Sequence, residues 1–340
     1  MIATPVALHT VRADDVLRPT ERGLYCPPGD FYIDPLHPVP RALITHAHAD
    51  HARPGHGAVL ATAQTLEIMA IRYGADFAQS TQAAQGAVRM GAVTVSFHPA
   101  GHILGSAQIR VAPDAGPVIV VSGDYCRRPN PVCAPFEPVP CNVFVTEATF
   151  GLPVFRHPEP LDQMARLTDS LRQFPDRPHL IGAYALGKAQ RLISLARMAG
   201  IDGPIAIHGA LQRLCDYHMT QGIDLGPLIP ATAADTPTGL VIAPPSAFGQ
   251  PWVQRFRDPV IGFASGWMQV RARARQRGAE LPLIISDHVD WPQLTQTLTE
   301  LAPDETWITH GAEDGLMRWC AMAGLPARPL RLVGYGDEPE

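Results

Sequence analysis

The sequence predicts a mixed α/β (α+β) fold in about two domains, and three observations carry that expectation. The chain has 340 residues, and at roughly 150 residues per domain this length suggests two units. Short runs of β-branched residues bounded by Gly, Pro or Asp dominate the first 150 residues. From about residue 160 helix-like and strand-like segments alternate, the pattern of a βα unit with a parallel sheet.

In chain order, RALITH (41–46) reads as a strand, and ATAQTLEIMAIRYG (61–74) as a helix with Leu66, Met69, Ala70 and Tyr73 on one apolar face. AVTVSFH (92–98), AQIRVA (107–112), VIVVSGD (118–124) and NVFVTEA (142–148) follow as strands. Residues 160–174 read as a helix, HLIGAY (179–184) as a strand and GKAQRLISLARMAG (187–200) as a helix. PIAIHG (204–209), GLVIAPP (239–245) and PVIGFAS (259–265) are strands, and strand-type segments return at LPLIIS (281–286) and ETWITHG (305–311). The tail GDEPE is expected to fray. There is no internal repeat and no low-complexity tract.

Composition narrows the function classes. Hydrophobic residues make up 46% and charged residues 17%, enough for a sizeable core and too apolar for wholesale disorder. Apolar runs such as PVIVVSG (117–123) are far too short to span a bilayer, so no membrane partner is expected. The opening MIATPVALHTVRADD lacks a basic n-region followed by an apolar stretch, so no secretory signal is expected. Six cysteines without a CxxC pair do not form a disulfide framework. The spacings of Cys126, Cys133 and Cys141 match no zinc motif, and a reduced, cytoplasmic protein is the simplest expectation. A net charge of −5 argues against a uniformly basic nucleic-acid surface, but not against a local basic groove or a site whose positive charge comes from metal ions. Of the 27 basic residues, 26 are Arg and one is Lys188.

The strongest chemical signal is THAHADH (45–51), four potential metal ligands in six residues directly after a strand. His46 and His48, two apart, can grip one ion, and Asp50 and His51 can serve a second. His102 in PAGHILGSAQ, Asp124 at the end of VIVVSGD, His288 in SDHVD and His310 after ETWIT also fall at strand ends. Each alone is ordinary; as a set they support one another.

HAHADH, AGHILGSA, SGDY, TEATFG, SDHVD and THG, in this order, resemble the metallo-β-lactamase superfamily. More narrowly they resemble its β-CASP nuclease branch of DNA cross-link repair nucleases and RNA 3′-end processing endonucleases. The matches run from about residue 30 to 315. HxHxDH alone indicates the superfamily; Glu147 in TEATFG, the late SDH and THG and the βα unit between 150 and 280 point to the branch. Within it, YALGKAQRL and FASGWM are most similar to bacterial ligase-associated DNA exonucleases.

The resemblance implies a four-layered αββα metallo-β-lactamase fold from residues 1–175 and 280–340, with a β-CASP α/β cassette, 176–279, inserted between them. It implies that His46, His48 and His102 hold a first metal, that Asp124 bridges, and that Asp50, His51 and His310 hold a second. His288, oriented by Glu147, would act as general acid. The implied cofactors are two divalent ions, zinc with manganese as the alternative. The implied activity is phosphodiester hydrolysis, as a DNA exonuclease in repair, with an ATP-dependent DNA ligase and a helicase as functional associates. One departure matters: DNA-repair members generally lack a histidine at the position of His310, whereas RNA-processing members have it, so an RNA-processing nuclease is the alternative. A small-molecule hydrolase of thioesterase or lactamase type is a more distant one, which would need neither Glu147 nor the helical insertion. The chemistry agrees with a nuclease. A phosphodiester repels nucleophiles and has a poor leaving alkoxide, and two ions can clamp it and lower the pKa of a bridging water towards roughly 7.

Weaker signals lie in the middle of the chain. Lys188 follows Leu186-Gly187 at a strand-to-helix junction, where a cation and a helix N-terminus can hold a phosphate; chance placement is the other reading. Ser265, Gly266 and Trp267 could add backbone donors to a substrate phosphate and a stacking ring, or form a helix cap with a buried Trp. Arg271, Arg273, Arg275 and Arg277 occupy two helical faces, either a solvated surface or a nucleic-acid track. His56 and His98 read as supporting or structural residues.

Overall fold

The computed structural model describes residues 11–231 and 239–330; the expected frayed tail (336–340) and the first ten residues of the opening segment lie outside them. The described chain is a mixed α/β protein built on three sheets.

Strands β1 (Arg18–Thr20), β2 (Gly23–Cys26), β3 (Phe31–Ile33), β4 (Arg41–Leu43), β5 (His56–Ala61) and β6 (Ala78–Ala83) form the first sheet in sequential order. Its first three strands pair antiparallel and the remainder parallel. Strands β7 (Val88–Met90), β8 (Val93–Pro99), β9 (Ala107–Pro113), β10 (Ile119–Val121) and β11 (Val143–Ala148) begin the second sheet. The third sheet comprises β12 (His179–Gly182), β13 (Ile205–Ile207), β14 (Leu228–Pro230), β15 (Leu240–Ala243), β16 (Val260–Ala264) and β17 (Leu281–Leu283), in the order β14-β13-β15-β12-β16-β17. All of its pairings are parallel, as the βα alternation predicts. The chain then rejoins the second sheet as β18 (Glu305–Gly311) and β19 (Ala327–Pro329), completing the order β19-β18-β11-β10-β9-β8-β7.

The cores follow from residue alternation on these strands. Phe31, Ile33 and Leu43 of the first sheet meet Val95, Ile109, Val111 and Val145 of the second, so the two sheets pack face to face. The other face of the first sheet, with Ile44 and Val59, packs on Ile68 and Met69 of the helix Ala63–Tyr73. The other face of the second sheet, with Phe144 and Ile308, packs on the helices Trp291–Leu301 and Glu313–Ala323 through Leu294, Leu298 and Leu316.

Two placements differ from expectation. LPLIIS opens as an edge strand of the third sheet, paired with β16, so the chain returns to the second sheet later than residue 280 suggests. The helix Pro160–Gln173, expected with the first unit, buries Met164 and Leu167 in the core of the third sheet. Its amphipathic spacing is legible, but the partner that receives its apolar stripe is not.

Candidate metal centre

The site lies where β4, β10, β11 and β18 deliver their carboxyl ends, the edge at which loops of parallel strands carry ligand-binding groups. RALITH leaves the ladder after Leu43, which lets Thr45 and His46 turn out of the sheet. Asp124 is placed by a turn at Gly123, whose φ of +56° and close approach to Thr45, 2.8 Å from a notional Cβ, only glycine accommodates. A register shift between Thr146 and Ala148 sets Glu147 at an irregularity of the β11–β18 ladder, opposite the end of β18 that carries His310; such bulges re-aim side chains beside functional sites.

The seven residues of the expected ligand set converge. His102 Nε2 lies 3.0 Å from His48 Nδ1, and Asp124 Oδ2 lies 3.4 Å from His46 Nε2 and 3.7 Å from His102 Nε2. The other Asp124 oxygen, Oδ1, lies 3.5 Å from His51 Nε2 and 3.4 Å from His310 Nε2. Asp50 Oδ2 is 3.6 Å from His51 Nε2. One carboxylate therefore faces two imidazole groups with separate oxygens. Candidate ligand atoms of His46, His48, His102 and Asp124, and again those of Asp50, His51 and Asp124, lie within 4.8 Å of one another.

The donor set suits a divalent cation. Among the described residues, His46 Nε2 and the Oδ1 atoms of Asp50 and Asp124 are buried without a hydrogen bond of their own, each an arrangement costing about 1–3 kcal/mol unless something satisfies it. The remote ring nitrogens are committed outwards. His48 Nε2 donates to the Leu186 carbonyl at 3.2 Å, His102 Nδ1 to the Asp287 carbonyl at 2.9 Å and His51 Nδ1 to Asp34 Oδ2 at 2.8 Å. These bonds fix tautomers that aim His48 Nδ1, His102 Nε2 and His51 Nε2 inwards. Burial, reinforced by neighbouring imidazoles, pushes His46 and His102 far below the usual histidine range, the neutral form a metal requires. Burial opposes charge on His51 and His310, but Asp124 outweighs it and raises both, with Asp50 helping at His51. The two carboxylates thus call for positive charge at that corner.

His288 stands at the edge of the cluster, its Nδ1 donating to Glu147 Oε2 at 2.9 Å and lying 4.0 Å from Asp124 Oδ2. Desolvation works against its charge, yet Glu147 and Asp124 prevail and push it up to about 9. Glu147 is itself fixed by the Tyr125 amide at 3.0 Å and the Thr149 hydroxyl at 2.6 Å.

The same pocket is lined by Lys188, Ser265, Gly266 and Trp267. Lys188 is not a bare cation: its Nζ lies 2.9 Å from Asp287 Oδ2, and Asp287 Oδ1 also takes Arg191 at 2.9 Å. Two cations against one carboxylate leave a net positive charge behind the pocket wall. Gly187 before it has φ +84°, and a Cβ there would come within 2.2 Å of Ile103. Ser265 caps a short 3₁₀ turn by accepting from Trp267 N at 3.2 Å, the cap reading, while half-buried Trp267 still reaches the pocket. His56 Nδ1 accepts from Val39 N and His98 pairs with Glu137, both away from the cluster. All six cysteines are described and carry free thiols.

No family model matches the chain. It is 26% identical over 299 residues to a protein named "Probable DNA ligase" from Opitutus terrae (strain DSM 11246 / JCM 15787 / PB90-1), covering 85% of this chain. The match spans 28% of that much longer relative. Among solved structures, a crystal structure of a protein of unknown function from Enterococcus faecalis V583 superposes with a TM-score of 0.55 at 12% identity. It covers 88% of this chain and 79% of that one, a likeness of fold alone. No helix among the described residues is long and apolar enough to cross a membrane.

Two residues that orient the cluster escape sequence reasoning. Asp34, held at φ +43°, accepts from Thr45 N at 2.8 Å and Thr45 Oγ1 at 2.6 Å besides His51. Asp287 sits inside the quoted SDHVD, but its ties to Lys188 and Arg191 exist only in the fold. Asp34→Ala is expected to weaken cation binding at the Asp50–His51–His310 corner by about 10- to 100-fold, as loss of an orienting partner typically does. Competition with a chromophoric chelator measures this; wild-type affinity at both corners would show that Asp34 does not set His51.

Proposed function

We propose that this protein is a metal-dependent phosphodiesterase, a DNA exonuclease acting in repair. The observation that carries the reading is Asp124, whose two carboxylate oxygens each face a separate histidine cluster while the His288–Glu147 pair stands beside it. In this reading the two facing sheets and their outer helices are the αββα metallo-β-lactamase fold, formed by residues 1–175 and 280–340. The parallel third sheet is the inserted β-CASP cassette, 176–279 extended to take in the edge strand Leu281–Leu283.

His46, His48, His102 and Asp124 would hold one ion, and Asp124, Asp50, His51 and His310 the other, zinc being the better match to imidazole and carboxylate and manganese the alternative. Two such ions, when bound, neutralise a phosphodiester and make water nucleophilic at neutral pH. The remaining steps belong to the chain. Nδ1 of His288 is tied to Glu147, which favours the charged ring and leaves Nε2 as the proton donor to the leaving oxygen. Lys188 supplies a fixed positive charge for a substrate phosphate. The Ser265 hydroxyl, accepting from Trp267 N, keeps its own hydrogen to donate, and Gly266 keeps that wall free of a side chain.

The DNA assignment is supported by the Opitutus terrae relative, in which a stretch similar to this chain belongs to a polypeptide named for DNA ligation. That same fact supports a functional association with a DNA ligase. His310, 3.4 Å from Asp124, favours the RNA-processing reading instead. Matched DNA and RNA 30-mers labelled at either end, incubated with Zn²⁺ or Mn²⁺ or with chelator, separate the two. A metal-dependent ladder on DNA from one end is expected. Preferential internal cutting of RNA would overturn the DNA assignment, and an inert protein would overturn the nuclease reading.

A further inference from the structure

The nuclease reading leaves the basic run at 271–277 without a role. The third sheet is covered unequally. One face, with Ile181, Ile207 and Ile242, is packed by the long helices Pro160–Gln173, Lys188–Met198 and Gly209–Thr220. The other, with Leu180, Val241, Ile261 and Phe263, is covered among the described residues by 3₁₀ turns and the six-residue helix Arg271–Gln276. That thin cover is strongly basic. Residues 251–279 hold six arginines against one acid, Asp258, a net +5 in a chain of net −5. Asp258 is already engaged by Arg177 at 3.2 Å.

Some exposed arginines elsewhere meet carboxylates, as in Arg89–Asp114 and Arg12–Asp15. Arg255, Arg257, Arg271 and Arg275 are exposed, and none appears in an ion pair among the described residues. Arg271 and Arg275 stand one helical turn apart and present their charge on one side. This face runs into the pocket wall. The Arg273 guanidinium lies 3.9 Å over the Trp267 ring, and Trp267 packs 4.9 Å from Phe150, both rings lining the pocket beside His288.

We propose that this arginine-bearing face of the third sheet is a docking track for single-stranded DNA, which enters the pocket past the Phe150–Trp267–Arg273 stack. Exposed unpaired guanidinium groups on an otherwise acidic protein fit a polyanion. A guanidinium–indole stack at the rim suits bases whose faces are free, which a paired strand does not offer. The inference rests on the nuclease reading for its placement, but its test does not depend on cleavage.

Binding of a labelled 30-mer of thymidylate is measured by anisotropy in chelator, across a salt series, for wild type and for Arg271→Gln/Arg275→Gln. A loss of tenfold or more in affinity is expected. The slope of log affinity against log salt should fall by about 1.4, because each phosphate contact to a single strand contributes about 0.7. The control Arg18→Gln/Arg318→Gln, at exposed positions outside the third sheet, is expected to retain wild-type affinity and slope. An unchanged slope in the Arg271/Arg275 pair, or equal wild-type affinity for a 30-base-pair duplex, would overturn the track. If wild type then degrades the 30-mer with zinc or manganese, the track alone has failed. If binding depends on these arginines but no metal supports cleavage, the track stands and the nuclease reading falls.

Discussion

Replacing Asp124 by alanine is expected to reduce phosphodiester cleavage by at least about 1000-fold, roughly 4 kcal/mol of transition-state stabilisation, with the fold retained. Oδ2 faces His46 and His102, and Oδ1 faces His51 and His310. Its removal takes away the one group common to both clusters and the negative charge that each cation needs. Burial opposes ionisation of this carboxyl, but His51 and His288 hold it well below the usual carboxylate range, so it faces both clusters as a carboxylate. The polypeptide around it is secured independently, by Gly123 and by Val121 in the inter-sheet core. Circular dichroism should therefore be unchanged while bound metal falls from two equivalents per chain to one or fewer. Two retained equivalents, or activity within tenfold of wild type, would show that Asp124 does not join the two clusters. His48→Ala should lose activity comparably, yet spare the corner of Asp50, His51 and His310.

The convergent His/Asp cluster is legible because its members sit at or just after strand ends, where alternation stops and polar residues interrupt apolar runs. His46, His102, Asp124 and His310 are all of this kind. The parallel third sheet is legible for a related reason, since four apolar β-branched runs follow a helical pattern at 160–174, with a second helical pattern between the first two runs. What escapes is of two sorts. Strands β1 to β3 and β6 are three to six residues long, and β6, Ala78–Ala83, is almost wholly exposed, so no hydrophobic period announces it. Asp34 and Asp287 act across 17 and 185 residues of chain, on His51 and His102 respectively, and a contact between distant segments leaves no local spacing to read. Lys188 shows the limit of composition. Its rarity marks it, but the Asp287 carboxylate that moderates its charge is visible only in the packed structure.

His288→Ala is expected to slow cleavage by about 100- to 10,000-fold, the usual range for a positioned proton donor, while bound metal stays near two equivalents. The distinction from Asp124 rests on which ring nitrogen is engaged. Nδ1 is taken by Glu147 at 2.9 and 3.1 Å and lies 4.0 Å from Asp124 Oδ2. A histidine that binds a cation through Nδ1 would have to surrender the Glu147 bond; one that delivers a proton from Nε2 keeps it. Asp124, Glu147 and His288 do lie close enough to form a third candidate cation group, so the two roles make opposite forecasts for metal content. Loss of one equivalent in His288→Ala would recast the residue as a ligand. Glu147→Gln should separate them further, because the amide keeps a hydrogen bond to the ring but removes the negative charge that holds it protonated. As a general acid, His288 would then lose most of its rate on substrates with poor leaving groups and little on an activated nitrophenyl ester, whose leaving oxygen needs no proton. An equal loss on both substrates would point away from proton donation and towards a purely structural part for the pair.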